Sequence, residues 1–235
     1  MKIGLSLAKI GQAFCIKINF SKSLQKYTDW YIFAMLIRSE MSKAERTRQF
    51  IIEKTAPIFN VKGYAGTSLN DMISATGLTK GSIYGNFENK DEVALAAFDH
   101  NLKCMFAAVN AEMNKKATAR EKLLVYVDIY ENFLHHPFPA GGCPILNTST
   151  EADDTHPMLR EKASDAITNW KNAIAGLIKK GIANNEFSSH IDPEETAIAI
   201  VALIEGGIMI GKVTGKLTYR RAIMKSVQKM IDDLG

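Results

Sequence analysis

Two runs of sequence decide how this chain reads: Thr67-Ser68-Leu69-Asn70-Asp71-Met72-Ile73 and Gly77-Leu78-Thr79-Lys80-Gly81-Ser82-Ile83-Tyr84-Gly85-Asn86-Phe87. In the first, Ser68 and Asp71 have the spacing of a capping box. In that motif a hydroxyl and an acidic side chain three residues on satisfy free backbone N–H groups reciprocally. Leu69, Met72 and Ile73 then supply the buried face of a short helix. Gly77 permits the tight turn that a helix-turn-helix requires. Thr79 caps a third short helix over residues 80–86, with Ile83 and Phe87 facing inward. Asn89-Lys90-Asp91-Glu92 repeats the capping-box spacing and opens a long helix through Val93, Ala96, Ala97 and Phe98. Upstream, Phe50, Ile51, Ile52, Ala56, Ile58 and Phe59 recur at helical spacing. Gly63 falls just past the end of that first helix, as a helix C-terminus prefers.

The residues left outward on the third helix are Lys80, Gly81, Ser82, Tyr84 and Asn86. They are small or polar, and three short helices with a glycine turn form a compact reader of the major groove. An asparagine amide can bond an adenine edge through two atoms, whereas Lys, Ser, Thr and Tyr hold phosphates. Phosphate oxygens also favour helix N-termini, which fall here near Thr67 and Lys90, with Ser68 beside the former. Taken singly, each position reads equally well as a solvated cap; the set and its spacing point to nucleic acid.

Gly63-Tyr64, Thr67-Ser68, the run from Gly77 to Tyr84, Asn86-Phe87 and Asn89-Lys90-Asp91-Glu92 together resemble the N-terminal module of TetR-type repressors over residues 44–103. The resemblance implies an all-α fold: an N-terminal three-helix helix-turn-helix module (44–103) joined to a larger helical ligand-binding and dimerisation domain (104–235). It implies contact with double-stranded operator DNA through Thr67, Thr79, Lys80, Ser82, Tyr84 and Lys90. It also implies a small-molecule inducer and a homodimer, whose two-fold symmetry calls for a palindromic operator. Gly85-Asn86 departs from the bulky aromatic or histidine often found before the matching Phe, which touches base preference rather than fold.

Bulk properties neither add to nor oppose this. With 235 residues, 46% hydrophobic and 23% charged, the chain has an ordinary globular composition and can bury a sizeable core. Residues 1–40 carry six Lys/Arg against two Asp/Glu, which is the whole of the formal +4. Binding to DNA therefore cannot be argued from net charge and must come from a few placed contacts. Cys15, Cys104 and Cys143 are scattered with no C-x-x-C pair, so a reducing cytoplasm is the default. The apolar run in residues 1–20 is broken by Lys9, Gln12 and Lys17 and lacks a signal-peptidase site. Residues 196–211 suggest a membrane span, but Glu205 interrupts them and about 20 apolar residues are needed. A buried helix is the expectation there. Residues 1–40 lack helical periodicity and Met41 opens a clean amphipathic pattern, so Met41 is expected to be the physiological start and residues 1–40 an upstream extension of the reading frame. The alternative is a genuine N-terminal arm; either way residues 1–43 precede the helix-turn-helix domain.

In the second half, Leu123, Leu124, Val127, Tyr130 and Leu134 form one apolar stripe. Leu159, Ala163, Ala166, Ile167, Trp170, Ile174 and Leu177 form another. Asp192-Pro193-Glu194-Glu195 is a strong helix start, with proline at the first helical position. The helix it opens is apolar on almost every side, one face suited to the core and another to a symmetry partner. A last helix buries Ile223, Val227 and Ile231. Candidate inducer contacts are Tyr126, Tyr130, Phe133, Trp170 and Met209, each of which reads equally well as plain core. Cys143, in Gly141-Gly142-Cys143-Pro144, stands at a helix N-terminus, where backbone N–H groups favour a thiolate. The stretch resembles a segment of a TetR branch in which some members sense electrophiles through cysteine, with Lys212 placed to approach the thiol. The competing reading is a small buried hydrophobe.

Enzymatic chemistry has little to stand on. Glu151, Asp153, Asp154 and His156 form the densest polar cluster, but such groups near a proline cap helices more often than they hold metals. No phosphate-cradling glycine motif, nucleophile elbow or paired carboxylates appear. The expectation is no enzyme, no cofactor and no metal. The alternative to a DNA-binding regulator is a helical interaction protein that has kept the fold without the DNA.

Overall fold

The computed structural model describes residues 42–131 and 138–235, and every regular element among them is a helix. In order these are α1 Lys43–Gly66, α2 Leu69–Thr76, α3 Lys80–Tyr84, α4 Lys90–Met113, α5 Ala119–Glu131, α6 Pro144–Ala152, α7 Pro157–Ala183, α8 Pro193–Thr214 and α9 Leu217–Asp232. From Thr47 onward they make one compact unit. The expected division at residue 103 falls in the middle of α4, so that one unbroken helix belongs to both halves. The proposed start at Met41 lies outside the described residues, as do Phe133 and Leu134.

The helix boundaries follow their local chemistry. Ser68 Oγ accepts from Asp71 N at 3.1 Å while Asp71 Oδ2 accepts from Ser68 N at 2.8 Å, a complete capping box. Thr79 Oγ1 accepts from Ser82 N at 3.2 Å. Gly77 ends α2 with φ 67°, a left-handed conformation that costs a β-carbon residue energy and glycine none. Two expectations need correction. Helix α3 stops at Tyr84 rather than residue 86, and the Asn86 amide turns back to donate to Ser82 O at 2.9 Å. The second capping box is only half formed. Asn89 Oδ1 accepts from Glu92 N, but the Glu92 carboxylate takes the Glu88 N–H at 2.6 Å instead of that of Asn89.

The larger core is built by α5, α7, α8 and α9, with α8 packed against both α7 and α9. Trp170, Tyr130, Leu123, Ile145, Ile174 and Ile178 lie fully enclosed in it. At about 1.5–3 kcal/mol for each large apolar side chain taken from water, such burial is what holds the bundle. Helix α8 is long and apolar enough to cross a membrane. Here Ala197, Ile200, Val201, Ile204 and Ile208 face their own bundle instead. Gly207 and Gly211 let α9 approach closely, since a Cβ at Gly211 would stand 3.1 Å from the Arg220 stem. The opposite side of α8 is bare: Ile198 and Met209 are 45% exposed and Val213 82%, continued by Leu217 and Tyr219 on α9.

Candidate functional site

On the three-helix face, Thr79, Lys80 and Gly81 are exposed, while Ser82 and Tyr84 are half-buried. All five lie on or directly before a helix of five residues whose Ile83 is fully buried and whose Tyr84 packs in part against the core. No atom outside the helix and its cap crowds Gly81, so another molecule's backbone can come close there. Ser68 is exposed with its hydroxyl inside the capping box. Lys90, at the start of α4, lies over the Tyr64 ring at 4.3 Å. Two members of the expected set are placed differently. Thr67 is fully buried and its hydroxyl donates to Gly63 O at 2.6 Å, so it ties the α1–α2 corner together rather than presenting itself to solvent. Asn86 spends its amide on Ser82 and its carbonyl on Arg48.

Arg48 itself escaped the reading of the sequence. Its guanidinium stacks on Phe87 at 4.0 Å, donates to Asn86 O and pairs with Glu92 at 2.6 Å. One side chain of α1 therefore fixes the exit of α3 and the start of α4. No local pattern marks it, because its partners lie about forty residues away.

The same face is tied to the segment 140–151. Asn60, buried on α1, donates its amide to Ala140 O at 2.7 Å and Gly142 O at 2.9 Å. Asn147 donates to Asn60 O and Gly141 O, both at 3.0 Å. Lys212 Nζ donates to Gly141 O at 2.7 Å and Asn147 Oδ1 at 3.0 Å. At Gly63 the helix breaks with φ 73° and the Glu151 carboxylate takes the Tyr64 and Ala65 N–H groups at 2.7 and 2.8 Å. A Cβ at Gly63 would collide with that carboxylate, so glycine is required twice over. His156 caps α7 through Nδ1 and lies edge-on to Tyr64. Tyr64 donates to Asp91, which with burial raises its phenol to about 12. Glu151 and His156, taken from the polar cluster, thus serve the corner between the two halves. Among the described residues no group of three or more His, Cys, Asp and Glu side chains gathers as a metal site.

Of the expected inducer contacts, Tyr126, Tyr130, Trp170 and Cys143 come together and are buried. The Tyr130 and Trp170 rings lie 5.6 Å apart, and Tyr130 OH donates to Met105 Sδ at 3.7 Å. Met209 is on the far, exposed side of α8 and does not join them; Phe133 lies outside the described residues. Of the two readings of Cys143, the small buried hydrophobe and the activated thiol, its surroundings favour the first. Burial, aided by the neighbouring Glu205, pushes its pKa well up, outweighing the N–H groups of α6. Its Sγ donates to Glu205 Oε1 at 3.1 Å, while Lys212 bonds the loop and not the thiol. The Glu205 carboxyl is in turn raised by burial to about 7.

A short exposed helix behind a glycine turn, seated on a long helical bundle, defines a helix-turn-helix DNA-binding protein. Residues 51–97 match the family model for bacterial regulatory proteins of the tetR family, and residues 119–227 that for the tetracyclin repressor-like C-terminal domain. A TetR-family transcriptional regulator from Cytophaga hutchinsonii is 50% identical, with a TM-score of 0.81 over 83% of this chain and 98% of that one. A TetR transcriptional regulator from Chloroflexus aurantiacus is 35% identical, with a TM-score of 0.77 over 82% and 97%. An HTH-type transcriptional regulator of Lactococcus lactis is 27% identical over 204 residues, 83% of this chain and 98% of that protein. This chain belongs to the TetR family of transcriptional regulators. Such regulators bind operator DNA, respond to ligands, form dimers and are not enzymes.

Proposed function

We propose that this chain is a cytoplasmic repressor whose homodimer holds a palindromic operator until a small molecule releases it. The observation that carries the reading is the five-residue helix and its cap, on which Thr79, Lys80 and Gly81 are exposed and Ser82 and Tyr84 half-exposed, with Lys90 and Ser68 flanking it. Lysine and the hydroxyls would bind phosphates, and the small residues would let the helix sink into the major groove. The bare apolar stripe of Ile198, Met209 and Val213 supports a symmetric four-helix contact with a second copy. Release would run through the segment 140–151, which grips α1 by Asn60 and Glu151. The buried, protonated Cys143 favours a reversible ligand over an electrophile as the trigger, because thiolate is the reactive form.

The test is a Lys80→Ala, Tyr84→Ala double variant. Operator affinity should fall at least about 100-fold, at roughly 1–3 kcal/mol for each lost contact, with helical content and dimerisation intact. The salt dependence of log K should flatten by about one unit for each lost phosphate contact. Unchanged affinity by gel shift would remove the proposed reading surface. A Cys143→Ser protein should keep its response to inducer.

A further inference from the structure

Between the loop 138–142, the end of α8 and the start of α9 lies a groove of about 630 Å³, within the range of about 300–1,000 Å³ typical of small-molecule sites. Its walls carry two kinds of chemistry. Phe138, Pro139, Ile208 and Leu217 are apolar, whereas Lys212 and Arg220 bring positive charge. Arg220 is 9% exposed, its Nη2 donates to Glu131 O at 2.9 Å, and its buried Nε has no partner among the described residues. A buried guanidinium donor left unmatched is costly, and native proteins seldom keep one without a use. Lys212 donates only to the neutral acceptors Gly141 O and Asn147 Oδ1. Among the described residues neither cation forms an ion pair, and the Glu131 carboxylate lies 3.5 Å from Arg221 instead. The groove thus holds, at an apolar wall, two cations that form no ion pair among the described residues.

We propose that this groove binds an amphipathic carboxylate, its anionic head between Lys212 and Arg220 and its apolar body along Phe138, Pro139, Ile208 and Leu217. A carboxylate gives Arg220 Nε its missing acceptor and turns both cations to charge-assisted bonds, which are about twice as strong as neutral ones. The ligand also competes for Lys212, whose ammonium now holds Gly141 and Asn147. Asn147 donates to Asn60 O of α1, and Ala140 and Gly142, on either side of Gly141, accept the Asn60 amide. Binding in the groove therefore loosens the hold of the 140–151 segment on the helix-turn-helix. This regulatory half rests on the repressor reading above; the binding half does not.

The test is calorimetric titration of the full-length dimer, without DNA, with dodecanoate, dodecanol and dodecyltrimethylammonium. Dodecanoate should bind one per chain and at least about tenfold more tightly than the other two. Lys212→Gln should weaken it at least about tenfold, as expected for a lost bond to a charged group, and Arg220→Gln likewise. Should Arg220→Gln fail to fold by circular dichroism, Lys212→Gln decides alone, since that side chain is exposed. No binding of dodecanoate, as when a second copy fills the groove, overturns the proposal. So does equal affinity for dodecanol or in Lys212→Gln, or a preference for the cation. In a second arm dodecanoate is added to the operator complex, and release is expected. Dodecanoate bound with the operator still held overturns the coupling through Lys212 while leaving the repressor reading intact.

Discussion

The helix-turn-helix end and the α8–α9 end of this protein are built on opposite plans. Around α2 and α3, helices of eight and five residues are too short to persist alone, so each boundary is pinned by a cap within three residues in sequence. Ser68 with Asp71, Thr79 with Ser82 and Asn89 with Glu92 are all of this kind. Around α8 and α9, long helices have few such pins, and their placement comes from apolar contact across the bundle. The first plan keeps polar, small residues free on the surface. The second leaves a large apolar stripe that its own chain does not cover. One end is thus finished by the chain itself and the other calls for a second copy.

The sharpest way to break this comparison is Met209→Glu. A charge in the bare stripe meets its symmetry mate, so it acts twice for each dimer. We expect dimer affinity to fall at least about 100-fold, since about 3 kcal/mol of apolar burial is lost, with helical content retained. Light scattering showing an unchanged dimer would mean that the stripe faces solvent. Ile208, by contrast, is buried against its own chain, and a charge there should unfold the bundle rather than split the dimer.

Next in size is a pH effect confined to the bundle. Glu205 carries a folded pKa of about 7 against an ordinary value of 4.5, so the folded state binds its proton more tightly than the unfolded one. Its contribution is therefore full below the unfolded pKa and is lost as pH rises from about 4.5 through about 7. Glu205→Gln removes this loss. Relative to the parent it should gain roughly 2–3 kcal/mol between pH 5 and pH 8 in urea unfolding, at about 1.4 kcal/mol per pKa unit. A difference that does not change with pH would contradict the buried, protonated carboxyl.

The smallest effect belongs to the corner between the two plans. Glu151→Gln weakens the cap on the Tyr64 and Ala65 N–H groups and should cost about 1 kcal/mol of stability. Because that corner holds α1, inducer should also release DNA at a lower concentration. A variant with parental stability and parental release would leave Glu151 without the coupling role.

How much of this was legible follows the same divide. The caps at Ser68, Thr79 and Asn89 were readable because partners three residues apart are visible in any sequence. Apolar stripes such as Leu159 to Leu177 were readable because period alone reveals them. The clamp of Asn60 on Ala140 and Gly142, the Glu151 cap and the Arg48 tie were not, since their partners lie roughly 40 to 90 residues away. At Cys143 local reasoning left two readings open. Its helix N-terminus was visible and does pull the thiol pKa down, but burial and Glu205, brought in from α8, decide the sign. At Thr67 local reasoning erred: the motif marked its position, and packing against Gly63 turned its hydroxyl inward.

The account stands or falls on α3 as the surface that reads DNA. The direct measurement is selection of bound sequences from a random double-stranded DNA pool, by the full chain and by the Lys80→Ala, Tyr84→Ala variant in parallel. We predict one enriched palindrome for the parent and none for the variant. No enriched palindrome for the parent, or the same one recovered by the variant, would contradict the account.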